Sequence, residues 1–328
     1  VTVRQRLIRR TVVLAVAVAG AAAALIPWRL GVALGAALGG LAWRSLTSTR
    51  RLAMEHLAAA LPERTDEERA SIGRAAMINL GRSALEMLML AGSRRTRVEK
   101  WCTIADESRL RDALSSGRGV IFVTGHTGNW ELLAALVARR GYPATVVATP
   151  VYDPRLDELL IAARAAQGVE TISRGSPSAA RQLLSALRRN AFLGMLIDQD
   201  TDVDGTFVPF FGRSAYTPTG AAALALRTGA AVVCGFLVRE GAFRHRMVVE
   251  GPLTLVRTGD HDRDVVANTA LFTARIEQHI RLHPDQWVWF HRRWKRRPET
   301  APSGESGVAG AGPNRQPSDP PAAWAGSR

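Results

Sequence analysis

The sequence is short of cysteine, of acidic residues and of long unbroken apolar runs, and each shortage narrows what the chain can be. Cys102 and Cys234 are the only cysteines in 328 residues and stand far apart. That excludes a disulfide framework or a cysteine metal cluster. Both have apolar neighbours, as small buried hydrophobes do, and a reducing setting suits them. Acidic residues number 29 against 43 Lys and Arg, a formal net charge of +14. Such a chain suits an anionic partner: nucleic acid, an acidic membrane surface or a phosphorylated substrate. Codon bias of a GC-rich genome accounts for part of the arginine excess. No internal repeat is visible, so repeat architectures drop out. Hydrophobic residues still make up 47%, enough for a sizeable core and too many for a disordered chain.

The first uncharged run, Thr11 to Ile26, has 16 residues, slightly short of the ~17–25 a helix needs to span a bilayer. Arg4, Arg6, Arg9 and Arg10 precede it, and Pro27, Trp28 and Arg29 follow. Basic residues at both ends argue against a simple single crossing. A second stretch rich in Gly and Ala, Leu30 to Trp43, ends at Arg44. Residues 1–45 are expected to form a retained membrane anchor or shallow helical hairpin, with Trp28 and Trp43 at the interface. Three alternatives are a secretory signal ending near Ala21–Ala24, a twin-arginine signal at Arg9 and Arg10, and a buried core helix.

Helical spacing runs from Arg51 to Leu61 and from Ala70 to Leu90, with Thr65 and Glu68 as a capping box between them. Asn79 and Glu86 lie among apolar neighbours; an exposed helix face accounts for them as well as a site does. From Gly117 the pattern changes. Short β-branched runs end at Thr124, Ala148, Ser173, Ile197 and Val238, and helical segments alternate with them: 130–139, 154–167, 177–189 and 220–228. Arg244 to Glu250 reads as an added edge strand and Asp264 to Leu282 as a long helix. This alternation predicts an α/β fold with a central, mostly parallel sheet flanked by helices. A single α/β domain is expected over 46–297. The Pro, Gly, Ser and Ala-rich segment 298–328 reads as a disordered tail.

Ligands on such sheets gather at the carboxyl ends of the strands. The first strong strand runs into Gly125-His126-Thr127-Gly128-Asn129-Trp130-Glu131. Glu131, early in the next helix, can turn back to the imidazole, fix its tautomer and raise its basicity, so that His126 takes a proton from an attacking hydroxyl. A capping His with a surface Glu is the plainer account of the same spacing. Asp198, Asp200, Asp202 and Asp204 follow a later strand. They read as a solvated loop, as hard-cation ligands of a metal hydrolase, or as a partner cluster to the first motif. Phe207, Phe210 and Phe211 beside them suggest a greasy wall for an acyl chain. Gln286 to Arg297 interleaves tryptophans with basic residues. That composition fits a membrane-interface belt better than a nucleic-acid stacking surface, given the apolar N-terminus.

Taken in order, these motifs resemble the bacterial lipid A acyltransferases, the lauroyl and myristoyl transferases of the lysophospholipid acyltransferase superfamily. The likeness runs from about residue 70 to 297. It comprises Asn79-Leu80-Gly81 with Glu86, the His126-x4-Glu131 block, Asp198-Gln199-Asp200, Phe207 to Gly212, Thr217-Pro218-Thr219-Gly220, and Gln286-Trp287-x-Trp289-x-His291-Arg292-Arg293. The resemblance implies a glycerolphosphate acyltransferase-like fold, a general base at His126 partnered by Glu131, and donor and acceptor sites near Asp198 and Arg174. By charge, Arg174, Arg213, Arg292 and Arg293 are expected to supply forks for phosphate oxygens, by apolar character Phe210 is expected to hold an acyl chain, and Asn129 and Asp200 are further candidate substrate contacts. The resemblance also implies a thioester donor on acyl carrier protein or coenzyme A, a phosphorylated glycolipid acceptor (a lipid A precursor first), no cofactor, no metal and no nucleic-acid partner. It further implies a catalytic domain facing the cytoplasm on the inner membrane. Phosphatidylinositol mannoside acyltransferases share the pattern and are the runner-up, with lysophospholipid acyltransferases beside them. One departure bears on the acceptor: Asp200-Thr201-Asp202-Val203-Asp204-Gly205 stands where the lipid A group commonly has a Tyr-Gly pair and a short loop.

Overall fold

The computed structural model describes residues 11, 13, 16, 18–23, 25–92, 98–151 and 153–298. The basic start before Thr11 and the tail after Pro298 lie outside them. After helical residues 18–23 come three helices, α1 (Trp28–Ser45), α2 (Thr47–Ala60) and α3 (Asp66–Gly92). The capping box forms as the sequence predicts, with Thr65 N donating to Glu68 Oε2 at 2.8 Å and Glu68 N to Thr65 Oγ1 at 3.2 Å.

The sheet has seven strands: β1 (Cys102–Ile104), β2 (Val120–Thr124), β3 (Ala144–Ala148), β4 (Val169–Ser173), β5 (Phe192–Leu196), β8 (Ala231–Glu240) and β9 (Arg244–Glu250). A separate hairpin holds β6 (Gly205–Phe210) and β7 (Arg213–Pro218). The order across the sheet is β1-β9-β8-β2-β5-β3-β4, and only β8 with β9 is antiparallel. The expected edge strand β9 is therefore internal. Its outer neighbour, the three-residue β1, is too short to stand out as a pattern.

The remaining helices are α4 (Ser108–Leu114), α5 (Trp130–Arg139), α6 (Pro154–Ala166), α7 (Ala179–Arg188), α8 (Gly220–Thr228) and α9 (His261–Leu282). All five residues of β2 are buried, as expected for a central strand covered on both faces. Its side chains divide with period two. Ile121 and Val123 join the core formed with α8, α9, Trp287 and Trp289, while Val120 and Phe122 join the one under α5.

The N-terminal helices correct one expectation. Gly31, Gly35 and Gly39 form a small-residue stripe on α1 that meets Met77, Gly81 and Met89 of α3. A Cβ on Gly35 or Gly39 would collide with the α3 backbone. Trp28 stacks on Trp101 at 5.7 Å and Trp43 packs over Gly73 and Leu57. Both indoles are buried rather than set at a membrane interface. The opposite side of α1 exposes Leu30, Leu34, Leu38 and Leu41. Among the described residues no single helix is long and apolar enough to cross a membrane. α1 and α2, bent by 89°, satisfy that length and composition together.

Candidate active site

Strands β2 and β5 are neighbours, so their carboxyl ends emerge side by side, and Ile197 N donates to Thr124 O. This adjacency brings together His126, two residues past β2, and Asp198, two past β5. His126 Nδ1 lies 2.8 Å from Asp198 Oδ1, and the backbone N of His126 donates to Oδ2 at 2.7 Å. Trp287 Nε1 donates to the same Oδ2 at 2.8 Å. The Asp198 side chain is fully buried and that of His126 is 23% exposed. Burial works against ionising Asp198, but the neighbouring His126, through its ring and backbone N–H, and the Trp287 N–H outweigh it, holding the carboxyl down at about 2. An ionised carboxylate only accepts, so Nδ1 carries the proton and Nε2 is left to act as a base.

The turn is held from two sides. Gly128 N donates to Gln286 O and Val288 N to His126 O, so the Gln286-Trp287-Val288 segment pairs with it. Gly128 has φ +60, and a Cβ there would strike Leu237 O, so the position requires glycine. Asn129 caps α5, its Oδ1 accepting from Leu132 N at 3.0 Å. Its Nδ2 donates to Glu86 Oε2 at 2.8 Å. Glu86 is fully buried and receives both Arg239 amines at 2.7 and 2.8 Å and His245 Nε2 at 3.0 Å. Burial opposes its charge, but these donors win and hold Glu86 at about 2.

Several expected site residues have other partners. Glu131 does not reach the imidazole: Arg164 of α6 takes it through two parallel bonds, Nε to Oε2 at 2.9 Å and Nη2 to Oε1 at 2.6 Å. The histidine's carboxylate is Asp198, from a strand 72 positions away, rather than Glu131 in the adjoining helix. Asn129, expected to bind substrate, is buried with both ends of its amide engaged. Phe210 is core, packed between Trp287 and Trp294. Arg293 is fully buried, donates to Thr217 Oγ1 at 2.6 Å and lies over the Phe210 ring. Burial lowers its pKa to about 10 despite Asp198 and Asp200 nearby; it staples the hairpin and is not a free phosphate fork. Asp200 is buried and accepts from Arg296 N at 2.8 Å. Arg213 is exposed, stacked 5.1 Å over Trp294, and Arg292 is exposed. Trp287 and Trp289 are buried, whereas Phe290 and Trp294 of the same segment are half-buried. Among the described residues no group of three His, Cys, Asp or Glu is placed to hold a metal ion.

What remains around His126 is a pocket of ≈ 250 Å³ whose wall includes Trp130, Glu131, Arg164, Arg174 and Gln199. Trp130 lies edge-on to His126 at 4.9 Å. Arg174 is half-buried, and among the described residues its hydrogen bond is a long one, 3.5 Å to Thr201 Oγ1. Burial lowers its pKa. Beneath α5 an apolar slot of ≈ 40 Å³ shares Trp130, Ala134, Val146 and Leu196 with this pocket. An imidazole held at Nδ1, a cation without an ion pair among the described residues and an apolar lead-in can together act on an anionic amphiphile. Sequence reasoning missed Arg164, one arginine among many. It read Trp287 as an interface residue, because nothing in the pattern says that its N–H is needed by a buried carboxylate.

The family described as bacterial lipid A biosynthesis acyltransferase matches residues 2–296. A phosphatidylinositol mannoside acyltransferase of Mycobacterium tuberculosis (strain CDC 1551 / Oshkosh) is 29% identical over 190 residues, 56% of this chain. That match spans 57% of the relative's length, little more than half. The lipid A biosynthesis lauroyltransferase of Escherichia coli K12 is 25% identical over 280 residues, 85% of this chain and 89% of that protein. The palmitoleoyltransferase of the same organism is 26% identical over 283 residues, 83% of this chain and 87% of that protein.

Proposed function

The chain belongs to the bacterial lipid A biosynthesis acyltransferase family, which makes it an acyltransferase, and we propose that it moves a fatty acyl chain from an acyl thioester to a hydroxyl of a membrane glycolipid with His126 as general base. The observation that carries this reading is the His126–Asp198 pair at 2.8 Å, opening on the pocket that holds Arg174. The acceptor hydroxyl gives its proton to Nε2 while its oxygen attacks the thioester carbonyl. The tetrahedral intermediate then collapses, the C–S bond breaks and the departing thiolate takes the proton back from the imidazolium. Asp198 stabilises the imidazolium between the two steps. The donor is acyl carrier protein or coenzyme A, and its chain enters the slot beneath α5.

The proposed acceptor is a phosphorylated glycolipid, a lipid A precursor first, with Arg174 meeting a phosphate oxygen. A mannosylated phosphatidylinositol is the second reading, favoured by the 29% identity to the mycobacterial relative. The proposed setting is the inner membrane, with α1 in the surface and the pocket on the cytoplasmic side. Mass spectrometry of total lipids from cells with and without the gene tests the acceptor. A glycolipid lacking one acyl chain is expected. An unchanged glycolipid pool with altered phospholipids would overturn the acceptor and leave the transfer chemistry standing.

A further inference from the structure

We propose that Thr124 is a further catalytic residue of the transfer: its hydroxyl donates a hydrogen bond to the carbonyl oxygen of the donor thioester as that oxygen gains charge. The proposal rests on the acyl-transfer reading above and adds the group that receives the negative charge. Thr124 is the last residue of β2. Side chains alternate along a strand, so Thr124 shares the α5 face with Phe122, while Ile121 and Val123 join the opposite core. Phe122 and Thr124 both line the slot beneath α5. Thr124 is only 3% exposed, and its Oγ1 has no hydrogen-bond partner among the described residues. Buried hydroxyls are normally paired, and one left alone costs stability. A hydroxyl placed there at such a cost points to a partner that arrives with the substrate.

The surroundings say which partner. Apart from the Trp130 indole, the other side chains of the slot are apolar or, like Thr145, already hydrogen-bonded: Thr145 Oγ1 donates to Glu170 Oε2 at 3.0 Å. The slot shares Trp130, Ala134, Val146 and Leu196 with the His126 pocket. Thr124 pairs with Leu196 in register, so it stands at this junction. A chain lying in the slot with its thioester at the junction puts methylenes against the apolar wall and its carbonyl oxygen beside Thr124. The Thr127 hydroxyl is likewise buried and without a partner among the described residues, but Thr127 borders neither space. When the acceptor oxygen attacks, the new C–O bond forms and the C=O π pair moves onto the carbonyl oxygen. The Thr124 O–H stabilises this oxyanion and keeps its own proton. The pair returns to carbon as the C–S bond breaks and His126 gives its proton to the thiolate. A donor fixed in a water-poor wall acts on the transition state more than on the bound thioester.

The test uses the purified full chain in detergent micelles. Radiolabelled lauroyl-coenzyme A and lauroyl-acyl carrier protein serve in parallel as donors, and the total lipids of cells lacking the gene serve as acceptor. Thr124→Val, close in shape but without the hydroxyl, should lower kcat by about 100-fold with the donor KM unchanged. Thr124→Ser should keep most of the rate. Thermal melting of Thr124→Val should match or exceed that of the wild type, because an unpaired hydroxyl is removed. S-dodecyl-coenzyme A, in which a methylene replaces the carbonyl, should inhibit wild type and Thr124→Val equally. Thr124→Cys, whose thiol is a weak donor, should also lose rate relative to Thr124→Ser and carries the comparison if Thr124→Val does not fold. Transfer by folded Thr124→Val at the wild-type rate, equal losses in Thr124→Ser and Thr124→Val, or a loss seen only in the donor KM would overturn the assignment. Transfer retained by His126→Ala would instead overturn the general-base reading and leave the Thr124 comparison readable.

Discussion

A histidine works as a base through one nitrogen while the other is held, so what holds Nδ1 decides the chemistry. Here that group is Asp198, buried and ionised. Asp198→Asn should cut transfer more than Glu131→Gln, because Glu131 bonds Arg164 rather than the ring. Equal losses in steady-state kcat would count against this pairing. A pH consequence follows from the same carboxylate. The folded pKa of Asp198 is about 2 against an ordinary 3.8. The unfolded chain binds this proton first, so the stabilisation is complete above about pH 4 and is lost as the pH falls toward 2. Asp198→Asn should lower the stability at neutral pH and flatten its acid dependence in that window, measured by denaturant melts at stepped pH. The histidine was legible from its glycine-flanked turn after a strand. Its partner was not legible from spacing, because the His126-x4-Glu131 interval says nothing about which arginine competes for Glu131. Only the adjacency of β2 and β5 brings the Asp198 carboxylate to the ring.

At the level of elements, the sequence was most readable where segments were long and strongly patterned. The helices α5 and α8 and the strands β3, β4 and β9 fall at the expected bounds, since strong period-two or helical spacing marks them. β1 and the β6–β7 hairpin escaped notice. Three residues carry no period, and Asp200 to Gly205 looked like a polar loop rather than the approach to a strand. The burial of Trp28 and Trp43 was equally hidden, because the partner surface, α3, had no signature beyond Gly73 and Gly81. That packing predicts a specific weakness. Gly35→Leu should overpack the α1–α3 contact and cost roughly 1–3 kcal/mol, read by thermal melting, whereas Gly40→Leu should be nearly silent because nothing stands near its Cβ position. α9 carries a second pH response. Burial first, and the neighbouring His283 second, hold His279 at about 3 against an ordinary 6.5. It stacks on Phe236 at 3.9 Å. The unfolded state binds its proton first, so this stabilisation is full above about pH 6.5 and fades as the pH drops toward 3. His279→Phe should remove that slope in stability measurements between pH 6.5 and pH 3. An unchanged slope would assign it to other groups.

For the whole molecule, the exposed leucines of α1 and the excess of arginine point the same way, toward an anionic lipid surface. Leu34→Glu with Leu38→Glu should reduce sedimentation with anionic vesicles while leaving the fold unchanged by circular dichroism. Raised salt should weaken the wild type's binding only partly, because the apolar contribution is not screened. The role proposed for His126 is the proton transfer that moves an acyl chain from a thioester to a lipid hydroxyl. The most direct test is the rate of labelled acyl transfer by the purified full chain, wild type against His126→Ala, from acyl carrier protein or coenzyme A to the glycolipid identified by mass spectrometry. The predicted result is a loss of about 10²–10⁴ or more in kcat, with thermal melting showing that the variant is folded. A folded His126→Ala protein that transfers at close to the wild-type rate would contradict it.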